Sequence, residues 1–190
     1  MAEHLTDEEK GILLRLAREA LEKGVRGEGI SPLDPATLTP ALQSEGASFV
    51  TLTVDGQLRG CIGALEPYQP LAEDVQEHAV AAALHDPRFP PVTPAELSRI
   101  HIEISRLTRP RPLPYTDAQD LLAKLTPGLD GLILRDGYRR ATFLPQVWAQ
   151  LPEKETFLNH LCQKMGASPD LWRKKHLEVE TYQVEEFYEK

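Results

Sequence analysis

Residues 48–65, SFVTLTVDGQLRGCIGAL, decide the fold of this chain, because they contain a complete β-hairpin in one run. Residues 48–54 alternate in polarity and favour a strand, Asp55 and Gly56 form a typical two-residue turn, and residues 57–65 return as the partner strand. The sequence therefore predicts an antiparallel hairpin from which the rest of the fold is built.

The returning strand carries the motif LRGCIG at residues 58–63. The glycines beside Cys61 leave its thiol unshielded, and Arg59 is a cation that can stabilise a thiolate. Alternation puts Arg59 and Cys61 on one face and Gly60 and Ile62 on the other, and the glycines favour a β-bulge. Cys61 is therefore either a nucleophile or, as is commoner for a free cysteine, a small packing residue.

The remaining chain alternates between helical and strand patterns. Apolar residues at helical spacing predict helices over residues 6–23, 71–84, 117–125, 153–165 and 171–175. Strict alternation predicts strands over residues 100–107, 131–135, 138–144 and 177–184, with a second hairpin turn at Asp136 and Gly137. The pattern predicts an α+β fold with mainly antiparallel sheet and flanking helices.

Further candidate residues lie outside the hairpin. Residues 85–91, HDPRFPP, form a loop stiffened by three prolines, which mounts Asp86, Arg88 and Phe89. Asp86 and Arg88 are equally explained by an ion pair inside the loop. Glu103 and Ser105 occupy the polar face of the strand over residues 100–107.

Size and charge exclude several classes of protein. A chain of 190 residues fits one domain with two lobes, and a net charge of -8 argues against a nucleic-acid partner. No apolar run approaches the ~18 residues that span a bilayer. The acidic start, MAEHLTDEEK, differs from a secretory signal, so we expect a cytoplasmic protein with reduced thiols.

The sequence contains no recognised metal or nucleotide motif. His78, His85 and His101 lack the spacing of metal ligands and are interpreted as surface or edge residues, although a Cys/His pair assembled in space stays open. We therefore expect neither metal nor cofactor. Cys162 lies at helical spacing among Phe157, Leu158, Leu161 and Met165, so it is predicted to be a core residue.

Six segments, read together, resemble the AMMECR family, whose prokaryotic members are called AmmeMemoRadiSam system protein A. These segments lie in the family's order between residues 45 and 188. They are residues 58–63, 86–91, 102–105, 131–133, 143–147 and 157–166. Met165 departs from the alanine that is common in the family. The resemblance implies one AMMECR domain over residues 1–190, with two unequal lobes and the motif near a cleft between them.

The resemblance implies no established activity. It implies a shared pathway with a radical S-adenosylmethionine protein and a Memo-like protein. One hypothesis is a binding or accessory component that presents Gly60, Ile62 and Gly63 together with the aromatic Phe89 and the polar residues Asp86, Arg88, Glu103 and Ser105. The other is an enzyme acting on a small or modified substrate, in which Cys61 is the nucleophile and Arg59 activates it.

Overall fold

The computed structural model describes residues 4–190, which form two compact units. The first unit runs to Thr108 and includes residues 185–190, and the second comprises residues 109–184. This confirms the α+β prediction, with helices and antiparallel sheets in both units. Within the described residues, no helix is long and apolar enough to cross a membrane.

The first unit contains three helices, two short 3₁₀ turns and a five-stranded sheet. The path of this sheet is β2-β1-β4-β9, with β3 paired to β1. The helices are α1 (Asp7–Val25), α2 (Pro40–Gln43) and α3 (Leu71–Leu84), and the strands are β1 (Glu45–Val54), β2 (Gln57–Gly63), β3 (Gln69–Pro70), β4 (Ile100–Leu107) and β9 (Val184–Tyr188). 3₁₀ turns cover Pro35–Thr37 and Pro94–Arg99.

Helix α1 begins where its sequence supplies a capping box. The Thr6 hydroxyl accepts the N–H of Glu9, and the Glu9 carboxylate accepts the N–H of Thr6. The buried side chains of α1 and α3 pack on the face of the sheet that carries Val50, Leu52 and Ile102. The opposite face of the sheet carries the cross-strand row of Thr51, Cys61 and Glu103.

The second unit has a four-stranded sheet in the order β5-β8-β6-β7. Its strands are β5 (Arg111–Pro112), β6 (Gly131–Asp136), β7 (Arg139–Phe143) and β8 (Glu178–Tyr182), and its helices are α4 (Ala118–Lys124), α5 (Lys154–Lys164), α6 (Leu171–Lys174) and a 3₁₀ turn over Pro145–Ala149. The core of this unit contains the stacked rings of Trp148 and Phe157, and Cys162 is fully buried there as predicted.

The structure confirms the position of the first predicted hairpin turn and corrects that of the second. The first hairpin turns at Asp55 and Gly56, both with positive φ, as predicted for a type I′ turn. The second turns one residue later than predicted, at Gly137 and Tyr138, because Asp136 still pairs with Arg139. Positive φ at Gly137 alone fits a type II′ turn, which needs glycine only at its first position.

The last predicted strand was also wrong in extent. Residues 177–184 do not form one strand, since β8 ends at Tyr182 and β9 begins at Val184. The two strands belong to different sheets: β8 pairs with β6 and β5, and β9 follows β4. The alternating pattern runs through both, so it contains no signal for the change of sheet.

Candidate functional site

Cys61 lies on β2, which is an edge strand of the first sheet. It pairs across the ladder with Thr51 of β1, and the Thr51 hydroxyl donates to Cys61 Sγ at 3.2 Å. A β-bulge sets this register: Thr53 pairs with Leu58 and Leu52 pairs with Gly60, so Arg59 is the extra residue of β2. The bulge places the half-buried thiol on the sheet face opposite α1 and α3.

The backbone of Cys61 is bound by side chains instead of a further strand. Its N–H donates to Asp86 Oδ2 at 2.9 Å, and its carbonyl accepts Arg88 Nη2 at 3.3 Å. Both groups therefore point away from β1, as in a non-hydrogen-bonded antiparallel pair, where side chains approach most closely. Asp86 and Arg88 therefore provide the hydrogen-bond partners that the outward-facing backbone groups of Cys61 would otherwise find in a further strand.

Asp86 and Arg88 also form the ion pair that the loop sequence suggested. Arg88 donates from its backbone N–H and from Nε to Asp86 Oδ1, each at 3.0 Å, and from Nη2 to Oδ2 at 2.7 Å. These bonds, with the N–H of Cys61, hold the pKa of the buried Asp86 carboxyl far below its ordinary value. The Arg88 guanidinium also lies 5.6 Å from the ring centroid of Phe89.

Arg59 is engaged by a second carboxylate. Its Nε donates to Glu96 Oε1 at 2.8 Å, and its Nη1 donates to the carbonyl of Pro90 at 2.9 Å. The Arg59 hydrogen bond, together with the bond from the Thr93 N–H, lowers the pKa of Glu96 to about 2. Arg59 therefore anchors residues 90–96 to β2. Its hydrogen bonds within the described residues go to Glu96 and Pro90 and not to the sulfur of Cys61.

The glycines of the motif have a packing cause. A Cβ on Gly60 would lie 2.1 Å from the carbonyl oxygen of Ala82 in α3. On Gly63 it would lie 2.4 Å from both Phe49 Cγ and the carbonyl oxygen of Ser48. Close approach of strand, helix and neighbouring strand therefore requires glycine at both positions, whatever the motif binds.

Glu103 continues the row of side chains that starts at Cys61. Thr51 pairs with Cys61 on one side and with Glu103 of β4 on the other. Burial, and next the charge of Glu186, raise the pKa of Glu103 above its ordinary value. The half-buried carboxyl of Glu103 is thus two strands away from the Cys61 thiol. In the part of the chain that the structure describes, these two side chains form no hydrogen bond with each other.

Ser105 and Ile62 lie beside this row in different ways. Ser105 is buried and pairs with Phe49, which in turn pairs with Gly63. Ile62 packs on the opposite, helix-facing side of the sheet against the core. The structure thus groups Cys61, the Asp86–Arg88 pair and Glu103 around one part of the sheet, and it places Ile62 away from them.

Sequence reasoning missed a buried polar cluster on α3. His78 was interpreted as a surface or edge residue, yet it is buried, and its Nδ1 lies 3.2 Å from Asp74 Oδ2. The Ser48 hydroxyl donates to the same oxygen at 2.6 Å. The spacing of four residues between Asp74 and His78 was the available signal. His85 and His101 are exposed as expected.

Among residues 4–190, no group of three or more His, Cys, Asp or Glu side chains is arranged to hold a metal ion. The site contains the thiol of half-buried Cys61 with its hydroxyl donor Thr51, and the carboxyl of Glu103 with a raised pKa. It also contains two arginines that are bound to carboxylates. Such a site can form directional contacts with a partner or ligand. Among residues 4–190, the side chain that bonds to the Cys61 sulfur is the Thr51 hydroxyl, and it is not a base.

Comparison with known proteins gives one consistent result. The family model named AMMECR1 matches residues 14–187. A protein of Thermofilum pendens is 40% identical over 97% of this chain and 92% of its own length, and one of Methanothermobacter thermautotrophicus is 39% identical over 97% and 96%. The crystal structure of the uncharacterized protein PH0010 from Pyrococcus horikoshii superposes with a TM-score of 0.77 at 35% identity, covering 98% of this chain and 94% of that one.

Proposed function

Because this chain belongs to the AMMECR1 family, we propose that it is a non-catalytic binding component of a pathway that includes a radical S-adenosylmethionine protein and a Memo-like protein. The surface that binds the partner is the sheet face around Cys61, Thr51 and Glu103. The cleft that the family resemblance implies next to this surface is part of the same proposal.

One observation carries this proposal. The two arginines nearest the motif donate to carboxylates and backbone carbonyls: Arg59 to Glu96 and Pro90, and Arg88 to Asp86 and Cys61. A nucleophilic cysteine is normally activated by a cation or base at the sulfur. Here the charged groups fix the shape of β2 and its loop, which is what a recognition surface needs.

The test is a direct binding measurement with the radical S-adenosylmethionine and Memo-like proteins of the same organism. Cys61→Ala should keep the affinity within about twofold, because the proposal uses the shape of the face and not the reactivity of the thiol. Glu103→Lys should weaken binding at least tenfold. It should still fold, since it removes the repulsion between Glu103 and Glu186.

The matched control is Glu19→Lys. Glu19 is exposed on α1 and has no ion-pair partner within residues 4–190, so the same charge reversal should leave affinity unchanged. Absence of a complex with either protein, or equal losses in Glu103→Lys and Glu19→Lys, would contradict the proposal.

The second candidate function is a cysteine-dependent enzyme with Cys61 as nucleophile. The observation that favours it is that Cys61 is half-buried and that its sulfur accepts the Thr51 hydroxyl at 3.2 Å. It predicts a covalent adduct on Cys61 after incubation with substrate-containing cell extract, detected by mass spectrometry of the intact protein. Loss of partner binding in Cys61→Ala, with an unchanged melting temperature, would count against the first candidate.

A further inference from the structure

The second unit contains a pocket of about 760 Å³. It lies where β5, β8 and β6 are neighbours, and all of its lining residues belong to residues 109–184. Its volume is within the range of sites that bind small ligands or single side chains.

The charged wall of the pocket is negative. Glu178 and Glu180 are two residues apart on β8 and therefore share a face of the sheet. Arg135 of β6 neutralises one of them, since its Nε lies 3.1 Å from Glu180 Oε2. The Glu178 side chain is exposed, and its carboxylate has no hydrogen-bond or ion-pair partner in the part of the chain that the structure describes, although its backbone lies opposite Arg135 in the β6–β8 ladder. The Glu178 carboxylate is therefore available to bind a cation.

The second wall is a fixed pair of rings. The Tyr115 hydroxyl donates to the carbonyl of Leu177 at 3.0 Å and accepts its N–H at 2.7 Å, which holds the buried phenol ring in one position. The imidazole of His176 stacks on this ring, with 4.2 Å between centroids and 15° between planes. Because His176 is exposed, its other face is a flat surface for a planar group.

Two prolines complete the pocket. Pro112 pairs with Glu180 across the β5–β8 ladder, and Pro114 follows two residues later. Both are exposed and offer rigid hydrocarbon surface without a backbone N–H donor. A ligand that suits these walls carries a planar cation on an aliphatic stem.

We propose that this pocket binds a guanidinium group, with Glu178 accepting its N–H groups and His176 stacking on its plane. A guanidinium is flat, forms bidentate bonds to carboxylates and stacks on rings, whereas an ammonium group is a compact point charge. The group comes either from an arginine of a partner's polypeptide or from a free guanidino compound.

The test is an NMR titration of the full chain that follows the ring signals of His176 and Tyr115. The probes are the peptide acetyl-Gly-Arg-Gly-amide, its lysine counterpart and agmatine. The arginine peptide should shift both ring signals saturably and bind at least threefold more tightly than the lysine peptide. Tighter binding of the arginine peptide than of agmatine identifies a polypeptide as the source, and the reverse order identifies a free guanidino compound.

Glu178→Gln should weaken binding of the arginine peptide by about threefold to fivefold, the size expected for one exposed ion pair. His176→Ala should weaken it as well. The control is Glu153→Gln, which removes an exposed carboxylate from the same unit and should leave affinity unchanged. Ring signals that do not shift, equal affinity for the two peptides, or equal effects of Glu178→Gln and Glu153→Gln would overturn the proposal.

Discussion

The backbone N–H of Cys61 donates to the carboxylate of Asp86 at 2.9 Å across 25 residues of sequence. This bond joins the edge of the sheet to the proline-rich loop, and Arg88 completes it by donating to the carbonyl of the same cysteine. One buried carboxylate therefore determines the position of both the loop and the strand that carries the motif.

We predict that Asp86→Ala lowers the free energy of unfolding by about 2 to 3 kcal/mol. The substitution leaves the N–H of Cys61 without its acceptor and leaves the Arg88 guanidinium without its carboxylate. Urea unfolding followed by circular dichroism measures the loss.

The control for this experiment is Asp55→Ala. Asp55 pairs with Arg99, but both side chains are largely exposed, so the pair should contribute at most about 1 kcal/mol. Asp55 has positive φ, which adds a cost of its own to alanine at this position. A smaller loss for Asp86→Ala than for Asp55→Ala would contradict the role given to Asp86.

The second prediction concerns Gly60. Gly60→Ala should destabilise the protein by about 2 kcal/mol or more, because its Cβ would lie 2.1 Å from the carbonyl oxygen of Ala82 and the strand must shift. Gly11→Ala is the matched control. Gly11 lies inside α1 with no atom within 4 Å of an added Cβ, so alanine there should stabilise by up to about 1 kcal/mol.

Thermal and urea unfolding of both variants measure this contrast. A Gly60→Ala protein as stable as the unmodified chain would show that the close approach of β2 to α3 is not required. The glycine of the motif would then need a functional explanation instead of a packing one.

The hairpin shows how far sequence predicts this site. Asp55 and Gly56 predict the turn because few other residues adopt positive φ readily, and the alternation of residues 100–107 predicts β4 with its exact bounds. Counting back from the turn without a bulge, however, places Val50 opposite Cys61. The extra residue at Arg59 changes the partner to Thr51 and moves the thiol to the other face of the sheet.

Other parts of the site depend on contacts that are distant in sequence. Asp86 and Arg88 were recognised as candidates, but nothing local indicates that they bind the backbone of Cys61. Glu96 was not singled out, because its bond to Arg59 joins residues 37 apart. The Asp74–His78 pair was visible as a spacing of four residues, and its burial follows only from packing of α3 on β1.

The third prediction is a pH dependence that involves Glu96. Its pKa in the folded chain is about 2, below the ordinary value of 4.5, so its ion pair stabilises the fold fully above about pH 5. This contribution falls as the pH drops from 4.5 towards 2, where the folded form also takes up the proton. Glu96→Gln should be less stable by about 1 to 2 kcal/mol at pH 7, and the difference should shrink steadily between pH 4.5 and pH 2.

Urea unfolding at pH 7, 5, 4 and 3 measures this difference. Glu155→Gln is the control, since Glu155 pairs with Arg173 at an exposed position and should contribute little at any of these values. A difference between Glu96→Gln and the unmodified chain that stays constant from pH 7 to pH 3 would contradict the prediction.

The last prediction separates the two cysteines. Iodoacetamide should alkylate Cys61 at least tenfold faster than Cys162 in the folded chain, because Cys61 is a half-buried residue while Cys162 is fully buried. Burial also raises the pKa of the Cys162 thiol, which lowers its thiolate fraction. Mass spectrometry of peptides after timed quenching gives both rates, and alkylation in 6 M guanidinium chloride should bring them close together. Equal rates in the folded chain would contradict this prediction, and a Cys61 thiol that reacts only after unfolding would rule out an accessible thiol at the motif and with it the nucleophile hypothesis.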